Sequence, residues 1–460
     1  MEKKQKFSNQ NMFILKKVYF LGIGGVGMSA LASYVMDLGI EVYGSDATKN
    51  LFTEQLSAKG AKITIGHDAS VPVGIDCCVV SGAINPKDGQ IAQCVKSGAK
   101  IFTRGEFLGL VMSRFKKSVA IAGSHGKTTT TALAYSVLSS CGQSSALFLG
   151  GRYNGENYFK GEGDFCLAEA CEYQRAFLSL SPLVSVLLNA DYDHVDCYSS
   201  PQDLQNAFFD FANNTRSGGC VVAEEGVAKL LFEKGFEKKV ITFGTQDKDN
   251  CRYFADNLKE KDGVYSFDLF EGKKFLQRVT PSIVGKHAIY SCLAVFAVAR
   301  FFGFERDAIC DGISKFKGVE RRWQTFASNY TNVVADYAHH PTEITNLLNT
   351  ATKMGYDKIY VLFQPHTYSR TKVLLKEFGK SFRQAHEVVV LPVYSAREEV
   401  LSGGESKDLV AEINKHTLAL EAEDFIHAKK LLQSATKKDL LLVVGAGDVI
   451  DFCQAEYLNL

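Results

Sequence analysis

One stretch, Gly123-Ser124-His125-Gly126-Lys127-Thr128-Thr129, constrains the chain more than any other, because it demands a particular local fold. Before it, Lys117-Ser118-Val119-Ala120-Ile121-Ala122 reads as a short apolar strand, and after it Ala132 to Leu138 reads as helix. Strand, glycine-rich loop and helix is the setting in which backbone N–H groups and the positive end of a helix dipole converge on a phosphate. Lys127 then reaches the terminal phosphates of a nucleotide, and the Thr128 hydroxyl is placed to ligate Mg²⁺. The usual Walker pattern spaces its glycines more widely than Gly123 and Gly126, so the surviving Gly-Lys-Thr core carries the reading. The bland alternative is a Ser/Thr-rich turn capping a helix.

A second loop of related design lies upstream. Val18-Tyr19-Phe20-Leu21 is a strand, Gly22-Ile23-Gly24-Gly25-Val26-Gly27 follows, and a helix is expected over about 28–38. Glu41 to Asp46 supplies the next strand and ends in an acid. This fits the dinucleotide fingerprint, with Gly24, Gly25, Val26, Gly27 and Asp46 as the contact set. The loop holds a diphosphate whatever is attached to it, so a nucleotide-diphosphate sugar satisfies it equally. Asp76 to Ile84 is a further strand whose end carries Ser81 in a small-residue turn, which predicts a parallel sheet with ligand at the strand ends.

With 460 residues the chain is long enough for about three domains, and 46% hydrophobic with 22% charged residues is ordinary for a protein with large cores. A net charge of +1 gives no global case for nucleic acid. The basic start Met1-Glu2-Lys3-Lys4 is followed by an apolar run that glycines interrupt, without a small-residue cleavage site, so a cytoplasmic location is expected. Twelve cysteines lack any framework spacing and are read as reduced and structural. No apolar run reaches membrane-spanning length. A monomer or weak dimer is expected.

In the middle of the chain, Asp164 to Glu172 is a buried strand ending in carboxylates, and Glu169, ahead of Glu172, is the expected Mg²⁺ anchor beside Thr128. Val184 to Asn189 delivers a polar cluster in which His194 is a candidate metal ligand. Gly285-Lys286-His287 opens a helix of apolar and small residues expected over 288–299, read as a helix cap or as a contact to a nucleotide base, and Arg321-Arg322 brings two cations near a domain boundary, as a basic linker or a phosphate contact. Downstream, Asp336-Tyr337-Ala338-His339-His340-Pro341 follows a strand; adjacent histidines exclude a HExxH zinc site but can touch substrate. Phe363-Gln364-Pro365-His366 leads to Arg370, again at a strand end, and the stretches at 387–392 and 440–448 repeat the scheme and complete a mostly parallel sheet.

Taken together, these motifs resemble the ATP-dependent Mur ligases of peptidoglycan synthesis, in the same order along nearly the whole chain. The resemblance rests on 22–28, 122–128, Glu169-Ala170-Cys171-Glu172-Tyr173, Asp193-His194, 336–343 and 363–366. It implies an α/β fold of three domains: a Rossmann-like UDP-sugar domain at 1–115, a central ATP-binding domain with a P-loop sheet at 116–322, and a Rossmann-like domain at 323–460 that closes over ATP and amino acid. It implies ATP and Mg²⁺ as cofactors and UDP-N-acetylmuramate and L-alanine as substrates, joined through an acyl phosphate. Lys127, His194, His339 and Arg370 would be catalytic. Gly123 to Thr129, His287 and Arg322 would hold the nucleotide, and Thr128, Glu169 and His194 the metal. Gly24 to Gly27, Asp46, Ser81, Tyr337, His339 and Arg370 would hold the other substrates. Three departures stand out: Ala288 and Ser291 where the family has asparagines, Thr367 where it often has a second arginine, and Ala176 where a serine is common. The alternatives are a family member that joins the same UDP-sugar to a preformed tripeptide, a nicotinamide-dependent dehydrogenase, which leaves Lys127 without a role, and a nucleotide-binding regulator without catalysis.

Overall fold

A computed structural model describes residues 15–66, 70–326, 331–396 and 398–457. The basic start at Met1 lies outside them. The first sheet is built from β1 (Lys17–Leu21), α1 (Val26–Asp37), β2 (Glu41–Asp46), α2 (Leu51–Ala58), β3 (Lys62–Ile65), β4 (Cys77–Val80), α3 (Gly89–Lys96), β5 (Lys100–Thr103) and α4 (Arg104–Met112). Its strands lie in the order β3-β2-β1-β4-β5, all parallel. The order reverses between β1 and β4, and a crevice at such a switch point is where open α/β sheets bind ligands.

The central segment follows with β6 (Lys117–Ala122), α5 (Lys127–Ser140), β7 (Ser145–Tyr153), β8 (Glu156–Phe159), β9 (Phe165–Glu169), β10 (Val184–Leu187), α6 (Pro201–Asn213), β11 (Cys220–Glu224), α7 (Glu225–Glu233) and β12 (Val240–Gly244). Here the order is β12-β11-β10-β6-β9-β7-β8. The pairs are parallel except β7 with β8, so the sheet is mixed. Next come β13 (Tyr253–Lys261), β14 (Val264–Glu271), β15 (Lys274–Val279), α8 (His287–Phe301) and α9 (Arg306–Lys315), with β14 and β15 antiparallel.

The last sheet comprises β16 (Gln324–Phe326), β17 (Asn332–Asp336), α10 (Pro341–Ala351), β18 (Ile359–Phe363), α11 (Tyr368–Val373), α12 (Leu375–Ser381), β19 (Glu387–Val390), α13 (Ser406–Ile413), β20 (Leu418–Glu421), α14 (Phe425–Leu431), β21 (Leu440–Val444) and α15 (Val449–Tyr457). Its order is β16-β17-β21-β18-β19-β20, parallel but for the edge strand β16. Alternate residues feed two cores: Val334, Val361, Phe363 and Leu442 pack on one face, Val333, Tyr360, Leu362 and Leu441 on the other. Both faces being covered explains why these strands read as unbroken apolar runs.

Contacts group the chain into two compact units: residues up to Ala190 with Gln205–Tyr253 and Leu293–Gly312, and Asp191–Leu204 with Phe254–Cys292 and Ile313–Leu460. The segment bearing His194 thus packs with the last sheet, which its sequence position does not reveal. Among the described residues, no helix is long and apolar enough to cross a membrane.

Candidate active site

In the first unit, β6 is buried almost throughout and hands the chain to the predicted loop, and Gly126 takes a left-handed φ of 82° as the N-cap of α5. A side chain there would be strained, and with no side-chain cap the first N–H groups of α5 stay directed at the loop. Leu188 and Asn189, from the end of β10, close the loop from the side: His125 N–H donates to Asn189 Oδ1 at 2.9 Å, and Asn189 Nδ2 donates to His125 O at 3.1 Å. Ser124 and Thr129 are buried within it.

Lys127 curls over this loop. Its Nζ donates to Gly123 O at 2.5 Å, Ser124 O at 3.1 Å and Glu172 Oε1 at 2.9 Å. Burial disfavours its charge, but Glu172, with smaller help from Cys171 and Glu169, outweighs that and raises its pKa, so the ammonium is retained at neutral pH. The second-choice metal anchor of the sequence reading, Glu172, is therefore the lysine's buried partner. Glu169 is the carboxylate beside the threonine: Thr128 Oγ1 donates to Glu169 Oε2 at 3.1 Å, and Gly150 N–H to Glu169 Oε1 at 2.7 Å. These are oxygen donors of the hard type that Mg²⁺ takes, at the strand end where the cation is expected. Among the described residues, no group of three or more His, Cys, Asp or Glu side chains gathers as a metal cluster, so any cation here needs ligand or water oxygens to complete its shell.

The upstream loop differs in detail. Gly22 and Ile23 both donate to Ser45 O, at 2.9 and 3.0 Å, and Gly24 N–H donates to Asp46 Oδ2 at 2.7 Å. Asn50, N-cap of α2 through a capping box with Thr53, reaches Gly24 O at 3.3 Å. A Cβ on Gly24 would come within 2.6 Å of Asn50 Nδ2 and 2.9 Å of Asp46 Oδ2, so a side chain there would push these two groups aside. Helix α1 begins after Gly25 without a side-chain cap, leaving Val26 and Gly27 in its first turn. Ser81, at the end of β4, lies against Gly22: a Cβ there would be 2.9 Å from Ser81 Cβ. Gly24 to Gly27, Asp46 and Ser81 thus share the switch point, and Asp46 spends one carboxylate oxygen on bracing the loop. Arg104 lies over Gly27, its guanidinium NH1 3.1 Å from where a Cβ would stand, a neighbour no motif signalled.

The second unit assembles the remaining candidates. Arg370 is buried and pairs with buried Asp193 through Nε and NH2, both 3.0 Å from Oδ1. Asp193 also accepts from the backbone N–H of His194 at 2.7 Å, and His194 holds a left-handed φ of 53°. Burial opposes the Asp193 charge, yet Arg370, aided by His194 and His339, holds its carboxyl well below the usual range. Arg370 NH1 donates to His366 O at 2.5 Å and lies 3.2 Å from His366 Nδ1. The His366 ring faces His339 at 6.0 Å between centroids, and His339 Nδ1 lies 3.0 Å from Tyr337 O. Burial pushes the His339 imidazole down to about 3 and that of His366 to about 4, so both are neutral at pH 7.

Arg322 sits over the Tyr337 ring at 5.4 Å and faces Glu343 at 3.4 Å and Asp336 at 3.8 Å. Burial, then the nearby Arg322 charge, lowers His287 to about 4. His287 and Arg322 therefore belong to one electrostatic neighbourhood, with Glu343 as the shared acid. Glu343 also accepts from His339 N–H at 3.0 Å, as the N3 acid of the box capping α10. Asn189 is the partner that sequence reasoning passed over, while Glu172, Asp193 and Glu343 stood in its motifs without the contacts they make here. For Glu343 the signal was present, an acid three residues into a helix opened by Pro341. For Glu172, named as a second-choice metal anchor, and Asp193, named only beside His194, nothing in the sequence indicated the partners Lys127 and Arg370.

Comparisons with known proteins bear on this arrangement. Residues 17–116 match the family model "Mur ligase family, catalytic domain", 121–299 match "Mur ligase middle domain" and 321–447 match "Mur ligase, glutamate ligase domain". The UDP-N-acetylmuramate–L-alanine ligase of Caldanaerobacter subterraneus is 37% identical over 442 residues, covering 95% of this chain and 96% of its own. That of Clostridium perfringens is 35% identical over 449 residues, covering 95% and 96%. Among solved structures, UDP-N-acetylmuramate-alanine ligase MurC from Thermotoga maritima is similar at TM-score 0.81 and 28% identity, covering 96% of this chain and 98% of that one. A murein peptide ligase from Psychrobacter arcticus reaches TM-score 0.74 at 20% identity, a likeness of fold alone.

Proposed function

Because the chain belongs to the Mur ligase family, we infer that it joins L-alanine to UDP-N-acetylmuramate at the expense of ATP, in the cytoplasmic phase of peptidoglycan synthesis. The observation that carries the reading is the charged Lys127 lodged among the carbonyls of the Gly123–Gly126 loop, with Thr128 and Glu169 paired beside it. A carboxylate attacking a phosphoryl group brings anions together, so catalysis rests on positioned positive charge. Lys127 supplies it from the protein. Mg²⁺, which Thr128 and Glu169 would hold, neutralises phosphate charge when bound, and His194 is the candidate contact for a second Mg²⁺.

In this reading residues 1–115 take the UDP-sugar, with Gly24 to Gly27 on its diphosphate and Asp46 and Ser81 at the rim. Residues 116–322 take ATP through Gly123 to Thr129, with His287 and Arg322 toward the nucleotide. Residues 323–460 take the amino acid through Tyr337, His339 and Arg370. His339 and His366 are held neutral, so they can exchange a hydrogen bond with an uncharged amine, the form in which alanine must attack. Supporting the alanine reading over a tripeptide acceptor, the relatives at 35–37% identity carry the alanine name.

The test is ADP formation with ATP, Mg²⁺, UDP-N-acetylmuramate and L-alanine, omitting each in turn and replacing alanine with tripeptide. The expected outcome is full release only with all four and no gain from tripeptide. Release that ignores the UDP-sugar would overturn the reading.

A further inference from the structure

The turn that presents His366 and Arg370 is held from outside by Tyr394 and Glu398. Tyr394 N–H donates to Pro365 O at 2.8 Å, and its ring stacks on His366 at 5.6 Å and 12°. Glu398, whose own N–H closes a turn on Ser395 O at 2.9 Å, aims its carboxylate back at the same segment. Glu398 Oε1 accepts from Thr367 Oγ1 at 2.7 Å and from Ser369 Oγ, and Oε2 accepts from Ser369 N–H at 2.8 Å. Three donors from two residues on either side of Tyr368 thus converge on one side chain, immediately before Arg370. Burial opposes the charge, but the Ser369 and Thr367 hydroxyls lower the Glu398 pKa, consistent with a carboxylate that stays ionised.

We propose that Glu398 is a positioning residue for the amino-acid half of the reaction: by fixing Thr367 and Ser369 it sets where Arg370 and His366 stand. The proposal rests on the ligase reading above and deepens it. Arg370 is bound to Asp193 on one side and to the His366 carbonyl on the other, so a small rotation of the 367–370 turn would move the guanidinium and the imidazole together. Glu398 itself touches no reacting group in this account. A defect in it should therefore appear where alanine is handled and not where the phosphoryl group moves.

The experiment separates the two half-reactions in the full-length enzyme. Acyl phosphate formed from ATP and UDP-N-acetylmuramate without alanine is trapped by hydroxylamine as the hydroxamate, and complete ligation is followed with alanine varied. Glu398→Ala is expected to leave hydroxamate formation and the KM for ATP within about twofold while raising the KM for L-alanine about tenfold or more, the scale of one charge-assisted hydrogen bond lost. Glu398→Gln keeps the Oε1 acceptor but turns an amide toward the Ser369 N–H, so it should fall between wild type and alanine, and Ser369→Ala should be milder still. The graded series keeps the test valid if Glu398→Ala proves unstable. An unchanged KM for alanine across the series, or hydroxamate formation lost in the same proportion as ligation, would overturn the proposal. Absence of hydroxamate and of ligation in the wild-type protein would instead overturn the ligase reading itself.

Discussion

The chain contains the same backbone device twice, at Gly22–Gly27 and at Gly123–Gly126, and uses it for different ends. Both loops join a buried parallel strand to a helix that starts without a side-chain cap. In the upstream loop the first helical turn is uncharged and a carboxylate, Asp46, takes up the Gly24 N–H. In the downstream loop the first helical residue is Lys127, and the nearby carboxylates serve the side chains of Lys127 and Thr128. On the proposed reading, a loop whose acid braces the backbone offers shape and N–H groups to a diphosphate that is held but not altered. On the same reading, a loop with a lysine and a neighbouring Thr128–Glu169 pair offers positive charge to a phosphoryl group in transfer. The glycines create the concavity; the side chains around it decide whether it holds or reacts.

That contrast can be broken experimentally. The largest effect should come from Lys127→Ala: turnover is expected to fall by about a hundredfold or more, while UDP-sugar affinity, measured by calorimetry, stays near wild type. The same substitution leaves Glu172 buried without its cation, so the melting temperature should fall as well. Unchanged turnover would remove the downstream loop from the mechanism. Gly24→Ala is the reciprocal probe. The added methyl would displace Asn50 and Asp46, so the KM for the UDP-sugar should rise about tenfold, with ATP binding intact; a matching loss of ATP binding would erase the division of labour.

The smallest effect is on stability against pH, and it belongs to the unit that lacks either loop. His287 and His339 have folded values of about 4 and about 3 against an ordinary 6.5. The unfolded chain therefore binds protons that the native state refuses, so stability is lost as pH falls below about 6.5, down to the folded values. The melting temperature should decline over that window, and His287→Gln should flatten part of the decline. A profile that instead rises on acidification would contradict the burial of these rings.

Much of the site was legible because its chemistry is local. Lys127 and Thr128 sit on one helical turn, and Glu169 ends a strand whose apolar run announces it. The expected helix at about 28–38 forms at Val26–Asp37, and the one expected over 288–299 runs His287–Phe301. Less legible were contacts across long separations. Arg370 and Asp193 are 177 residues apart, and nothing in either segment names the other. The expected mostly parallel last sheet has an antiparallel edge strand of three residues, β16, too short for alternation to reveal.

By itself, then, the sequence determined the elements and the two glycine loops that open helices, since periodicity, glycine placement and helix starts are properties of neighbouring residues. Tertiary structure alone decided the partners: that Glu172 serves Lys127, that Asp46 braces a loop, that Asp193 holds Arg370 and Glu398 the turn before it. The reason is physical. A buried charge must find its counter-ion wherever the fold brings one, and that pairing depends on packing in three dimensions and not on spacing along the chain.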